Sequence, residues 1–508
     1  MAIDAYPHLP GYRTVLRDGN LKFIPPGPTT QSVLIVGVAT DGPVNDPKRL
    51  TTIADAEELF GLPTLNAPLL LGWQEAVDAG CEDVRLCRLP GAKATGALVS
   101  TDTTPVDLID VEGKYDGAIY NIELVVAGDT LTVKVPAVKG DADLAYELKT
   151  DDSTPVYKTL NALIAEINTD TANNMVTLAL AAGATGTDDA ELGTGTVTLS
   201  GGADAPTNMY TALASAYELL TEYEVDVTAV LGVYADQTPT DKAVGDYAKQ
   251  LAEHCYKASG QDRLNIGVIA AEPLADTSLS GVATKVAALL ALENTYTYQG
   301  TDARGATRNV DIGRYISVCF GDGQFRDRSM SKLGSYYGPM AAVYAGLIST
   351  LAGQSATTNK VLPGVSNLSF RLSLQQLDNL TAKRFVTFRQ RTGRGVSVVD
   401  GVTAALTGSD WTRLSTVRII GDITKALIDA SEPYIGEAGG VVQRNALQTT
   451  VKTTLDAIQS AGAIQQYLFT VTATPSEMVQ GIANIMLEVV PAFELRKIRT
   501  VITLRPEL

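Results

Sequence analysis

Two histidines, four cysteines and scattered carboxylates are what this chain offers for chemistry, and their spacing leaves them little to do together. His8 and His254 are the only imidazoles in 508 residues, so histidine-based triads and multi-histidine zinc sites lack their parts. His254 adjoins Cys255 in a stretch of helical spacing, where neighbouring side chains diverge by about 100° and cannot share one metal. Cys255 falls on the apolar face of that spacing and reads as a small buried hydrophobe. Cys81 and Cys87 straddle a helix end and a strand start, too loosely for zinc, and read as structural thiols. Late oxidation of Cys81 and Cys87 is the alternative reading. No GxxxxGK[ST] phosphate loop, no GxGxxG after a strand, no GxSxG elbow, no HExxH and no CxxC pair occurs. Gly393-Arg394-Gly395 is only a turn fragment. The best remaining candidate is the run from Gly321 to Arg328, which follows a strand where α/β sheets tend to hold ligands. Asp322, Arg326 and Asp327 could converge there, and a polar loop crossing the sheet edge accounts for them equally well. No catalytic residue, cofactor or metal is therefore expected.

Composition narrows the classes further. With 45% apolar and 19% charged residues the chain can fill a core, which excludes a largely disordered protein. Its 508 residues exceed the ~250–300 that one core usually serves, so several domains are expected. A net charge of −17 argues against a nucleic-acid or anionic-membrane binder. Four cysteines make no disulfide framework. The first residues lack a basic stretch followed by an apolar one. The longest weakly polar run, 338–353, falls short of the ~18 residues that a membrane span needs. The expectation is a soluble protein made in a reducing compartment.

The elements follow an α/β order. Ser32–Val38 is a continuous apolar run suited to a strand covered on both faces. Thr52 is placed to cap a short helix, with Asp55 reaching back and Gly61 ending it. A second helix is expected over 67–79 and a strand over Asp83–Leu89. From Gly96 to Asp204 the composition changes to 18 Asp/Glu against five Lys and no Arg. Short alternating runs at Ile119–Val126, Thr130–Val135 and Thr196–Leu199 surround one helix-like segment at Thr159–Ile167, which predicts a mainly β inserted domain. Helix spacing then returns at Leu213, Ala216, Tyr217 and Leu220, and again from Val244 to Cys255. Strands are expected at Val225–Leu231, Leu264–Ala270 and Tyr315–Phe320, with a helix over Gly281–Leu292. Helices over Thr412–Ala430, Val451–Ile464 and Ser476–Ala483 and a strand over Gln466–Val471 complete the reading.

Both ends look built for pairing rather than for a core. Val15, Leu16, Leu21 and Phe23 flank Asp18-Gly19-Asn20, a plausible hairpin turn, and the proline-rich 25–28 stretch then stiffens the chain. At the other end Ile498, Thr500, Ile502 and Leu504 share one face of a strong β-former run that must pair with something. A large α/β chain with no site and two strand-forming ends points to assembly.

Here the sequence resembles the contractile-tail sheath proteins of bacteriophages. The resemblance rests on stretches in the family's order: Pro10-Gly11-Tyr12, Val33–Gly37 with Asp41–Asn45, and Ile53–Gly61. Tyr336–Gly346, Pro363-Gly364-Val365, Gly401-Val402-Thr403, Trp411–Ile420 and Pro491-Ala492-Phe493-Glu494 follow later. The Gly300–Arg308 region and the Cys81/Cys87 pair have no family counterpart. The resemblance implies an α/β and α+β multidomain structure: an arm over 1–30, a discontinuous core over 31–95 and 206–400, and an acidic outer domain over 96–205. A C-terminal α/β domain over 401–490 and a strand arm over 491–508 complete it. It further implies a non-enzymatic subunit of a virion tail, present in many copies as rings or helical strands. Its partners would be the tail tube, baseplate and tail terminator proteins, with no nucleic acid and no membrane. Val15, Leu16, Leu21 and Phe23 would belong to the donated N-terminal arm, and Ile498, Thr500, Ile502 and Leu504 to the C-terminal one. Contraction would drive the tube through the host envelope. A bacteriocin or secretion-device sheath is the related alternative, and an α/β enzyme with a ligand loop near Asp322 the alternative of another class.

Overall fold

The computed structural model describes residues 31–139, 142–150, 156–240, 242–259, 263–301, 307–331, 333–435, 440–474 and 483–496. The expected turn at 18–20, the C-terminal strand and nearly all of the expected 476–483 helix lie outside them. The chain opens with β1 (Val33–Gly37), β2 (Lys48–Arg49), α1 (Ile53–Phe60), α2 (Leu69–Asp78) and β3 (Val84–Arg88). Thr52 caps α1 by accepting the Asp55 N–H, and Gly61, at φ 74°, ends it as only glycine does easily. The expected return contact from the Asp55 side chain is not formed.

A second group of elements follows: β4 (Thr95–Val99), β5 (Asp107–Gly113), β6 (Glu123–Ala127), β7 (Thr130–Val133), β8 (Leu144–Glu147), α3 (Leu160–Thr169), β9 (Val176–Leu180) and β10 (Gly195–Thr198). They build two antiparallel sheets, β10-β6-β7-β8 and β4-β5-β9, around their own apolar cluster, with Leu124, Leu131, Leu163 and Val176 fully buried. The run expected to begin a strand at Ile119 is a 3-10 turn through Tyr120, and the strand starts at Glu123. Tyr120 is drawn inward there to bond Asp41, which sets the turn.

The chain then returns to the first sheet through α4 (Met209–Leu220), β11 (Val227–Val230), α5 (Asp246–Ser259), β12 (Ile266–Ala270), α6 (Leu279–Ala291), β13 (Thr297–Thr301), β14 (Thr307–Asp311) and β15 (Ile316–Phe320). Next come β16 (Asp322–Arg326), β17 (Ser335–Pro339), α7 (Ala341–Thr350), α8 (Leu374–Ala382), β18 (Phe385–Arg391) and β19 (Gly395–Val398). The eight-stranded sheet runs β19-β18-β15-β12-β11-β1-β3-β2, parallel throughout its middle and closed by an antiparallel strand at each edge. Side chains alternate across it. Val33 and Ile35 join one cluster with α2 and α7, while Leu34 and Val36 join another with α4 and α5. Both faces are thus covered, which is why β1 and β12 read as unbroken apolar runs and β15 as one broken only by Ser317. The weakly polar 338–353 run is accounted for by α7, nearly all of it buried against α2. No described helix is long and apolar enough to cross a membrane. Val244 lies before α5 and is exposed, because the helix begins only at Asp246.

A smaller unit ends the described chain: α9 (Leu414–Ser431), α10 (Val441–Ser460), β20 (Ile464–Thr472) and β21 (Asn484–Pro491). Its cluster of Ile419, Ile423, Leu447, Val451, Leu455, Ile458 and Ile464 is separate from the main core. Helix α10 starts ten residues before the expected Val451. Its first turns carry Arg444, Asn445 and Gln448 and bury little, so apolar spacing finds only the second half.

Candidate assembly surfaces

The residues singled out for chemistry are used by the structure for support. Asp322 opens β16, which pairs with β17; the expected ligand loop is a hairpin strand. Its buried carboxylate accepts the Leu274 N–H at 2.8 Å, and burial pushes its pKa up to about 6. Asp327 accepts Gln74 Nε2 at 3.0 Å and the Ser329 N–H and hydroxyl at 2.8 Å each, and it also takes the Ser331 hydroxyl. These bonds hold its pKa below the usual carboxylate range despite burial. Arg326 is exposed. The two carboxylates are thus taken up by different neighbours, Asp322 by Leu274 and Asp327 by Gln74 and Ser329. A cleft of about 210 Å³ between α9 and the end of the sheet is lined by Arg263, Arg314, Trp411 and Lys425, and its lining holds no carboxylate. His254 is buried and stacked on Tyr217 with ring centroids 4.6 Å apart. Burial depresses its pKa to about 4. All four cysteines are free and buried, and burial raises each thiol's pKa.

Strands β20 and β21 pair antiparallel from Ile464↔Pro491 to Thr472↔Asn484, making a sheet of only two strands. One face packs on α9 and α10 through Tyr467, Phe469, Val471, Ile485, Leu487 and Val489. The other leaves Leu468 and Met486 about two-thirds exposed. Each strand has a partner on one side, and among the described residues neither has one on the other. Long strands of this kind present a row of free N–H and C=O groups to any extended segment that arrives. Strand β21 was not expected from the sequence. Its signal was the alternation of Ile485, Leu487 and Val489, weakened by the equally apolar Met486 and Val490 on the opposite face.

Beyond β21 the chain crosses back onto the main body. Glu494 accepts the Ser415 hydroxyl and, at 3.2 Å, the Thr358 hydroxyl. Arg496 Nη2 lies 2.5 Å from one oxygen of Asp400, whose other oxygen holds Arg413 Nη1 at 2.5 Å. Asp400 is nearly fully buried, so both ion pairs are protected from solvent screening on its side. The sequence-predicted arm residues Val15, Leu16, Leu21, Phe23, Ile498, Thr500, Ile502 and Leu504 lie outside the described residues.

Neither protein-family models nor curated protein sequences match the chain. Solved structures do. The sheath tail protein of Listeria innocua is similar over 91% of this chain and 96% of its own, at 15% identity and a TM-score of 0.54. The sheath tail protein of Desulfitobacterium hafniense is similar over 95% and 100%, at 12% identity and a TM-score of 0.56. The contracted PVC sheath of an extracellular contractile injection system is similar over 100% and 99%, at 10% identity and a TM-score of 0.53. The mixed α/β fold is thus similar to that of contractile-tail sheath proteins, the family that the sequence resembles.

Proposed function

We propose that this chain is the repeating structural subunit of a contractile phage tail. It polymerises around an inner tail tube and contracts to drive that tube through the host envelope during genome delivery. The likeness of fold over at least nine-tenths of the chain carries this reading. The two-stranded β20–β21 sheet supports it, since its outer edges, unpaired among the described residues, suit strands donated by neighbouring copies. In this reading 1–30 and 491–508 are the donated arms. Residues 31–95 with 206–400 and 401–490 form the inner layers, and the acidic 96–205 unit faces outward. The tube, baseplate and terminator proteins of the tail are the partners. Contraction is rotation of rigid subunits about hinges at the arm roots, with the energy stored in a metastable lattice at assembly. The likeness to the PVC sheath favours a second reading, the same machine in a phage-derived bacteriocin or secretion device.

Negative-stain electron microscopy of the purified, concentrated chain tests the sheath reading. Hollow tubes with regular striation are expected, and a chain lacking 1–24 should stay folded and form none. Monodisperse particles that persist even on co-expression with a tube protein would overturn it.

A further inference from the structure

Both ends of the chain, where they meet the body, are held by the same turn of helix. Gln31 donates its N–H to the Ser349 carbonyl at 3.3 Å, and its own carbonyl accepts the Cys81 thiol at 3.8 Å. Beside it, Ser32 donates its N–H and hydroxyl to Asp226 Oδ2 at 2.8 and 3.1 Å. The Gln31 side-chain oxygen accepts from Arg418 Nη2 at 3.2 Å, a contact across 387 residues of sequence. At the other end, Glu494 hangs from Ser415, and Arg496 shares Asp400 with Arg413. Arg413 immediately precedes α9. Ser415 and Arg418 lie three residues apart on the helix, one turn on the same side.

Arg418 is an expensive way to fill space. It is 1% exposed, and its Nη2 also reaches the Leu351 carbonyl, yet Nε and Nη1 have no hydrogen-bond partner among the described residues. A buried guanidinium left half satisfied costs free energy that an apolar side chain of similar volume would not. The surroundings are also tight. Asp422, one turn further along, sits where any side chain on Gly353 would clash with it. What a hydrophobe in this place could not do is grip Gln31 and the Leu351 carbonyl together. The helix is well placed to transmit a pull. Leu414 belongs to the main core, while Ile419 and Ile423 belong to the small cluster under β20 and β21.

We infer that the first turns of α9 form a clamp that fixes where both arms leave the body. Arg418 positions the root of the N-terminal arm, and Ser415, with Asp400, that of the C-terminal one. The inference rests on the strand-donating reading of the two ends. A pull on one arm is then shared with the other through a single helical turn, a direct link beside the path that runs from Ser32 into β1 of the large sheet.

Hydrogen exchange on the unassembled full-length chain tests this, using Arg418→Met, Arg418→Lys, Glu494→Gln and the Met/Gln double variant. Arg418→Met should speed exchange about tenfold, the loss of the charge-assisted bond to Gln31, at Gln31–Ser32 and also at Ala492, whose N–H donates to the Ala463 carbonyl. Glu494→Gln should do the same from the other end, and the double variant should fall short of the product of the two. Arg418→Lys should regain part of the protection. The β12 and β15 amides of Arg418→Met should stay unchanged, and its thermal midpoint should not fall. Loosening confined to the root that was mutated, or independent multiplicative effects, would overturn the clamp. Faster exchange throughout β12 and β15 would also overturn it, by making Arg418 an ordinary structural residue. Should Arg418→Met not fold, Glu494→Gln still reports on the far root. The readout needs no tubes, so a failed clamp and a failed sheath reading give different results.

Discussion

At the scale of single residues, burial decides more than pairing does, and it sets a pH dependence that can be read. Glu75 is buried on α2, accepts the Tyr336 hydroxyl at 2.8 Å, and is pushed up to about 8 by its desolvation. His254 moves the other way, to about 4, for the same reason. A carboxyl whose folded pKa lies above its unfolded one favours the fold while protonated. Glu75 therefore takes stability away as pH climbs from 4.5 through 8. The histidine, favoured neutral, takes stability away as pH falls from 6.5 toward 4. Asp322, raised to about 6, adds to the Glu75 slope only below that value. Between pH 6.5 and 8 Glu75 is the one of the three still titrating, at a cost of about 2 kcal/mol. Glu75→Gln should therefore hold its urea-denaturation stability level across that window while the parent declines. A parallel decline in both would show that Glu75 is not the source.

At the scale of elements, the unit made of α9, α10, β20 and β21 is small enough for one side chain to matter greatly. Its cluster has seven buried members, and Leu455 is fully enclosed among them. Leu455→Ala should cost about 2–5 kcal/mol. The loss should appear as an earlier, separate calorimetric transition, with the transition of the main sheet unmoved; one shifted cooperative transition would mean that the two cores melt together. The same contrast explains what the sequence made legible. Strands β1, β12 and β15 and helix α4 could be located because burial on both faces, or along one helical stripe, forces a pattern on the residues. The first half of α10 and strand β21 could not, because the first turns of α10 are exposed, with Val441 and Val442 among them, and β21 carries apolar residues on both faces. The run at 321–328 misled for a related reason. Glycines and carboxylates usually mark a loop, yet here Asp322 and Gly323 are strand residues whose register with Pro339 and Gly338 is fixed by the hairpin. No local pattern announced that Gln31, Asp400, Ser415 and Glu494 would meet near one helix, since such contacts are set by topology.

At the scale of the whole molecule, the acidic inserted unit is bolted to the body rather than tethered to it. Arg88, fully buried at the end of β3, donates to the carbonyls of Ala39 at 3.1 Å, Gly42 at 2.8 Å and, across the junction, Asp116 at 2.6 Å. Asp41, also buried on the body side, takes the Tyr120 hydroxyl and the Lys139 ammonium from the inserted unit. The two connecting strands themselves meet, Ala92 and Ala203 exchanging backbone hydrogen bonds of 2.8 and 3.0 Å. A short glycine linker can therefore replace 93–202 without moving either end. The excised chain should fold, because the main sheet takes no strand from the inserted unit. It should nevertheless lose roughly 2–4 kcal/mol, since Arg88 gives up one acceptor and Asp41 both of its cross-junction partners. Asp41→Asn in the excised chain should recover part of that loss, and urea denaturation of the three proteins measures it. Excision with no loss would show that the junction is a tether after all. In that event the inserted unit could swing freely while the body turns. With the junction as described, any rotation of the body carries the acidic unit with it as one piece.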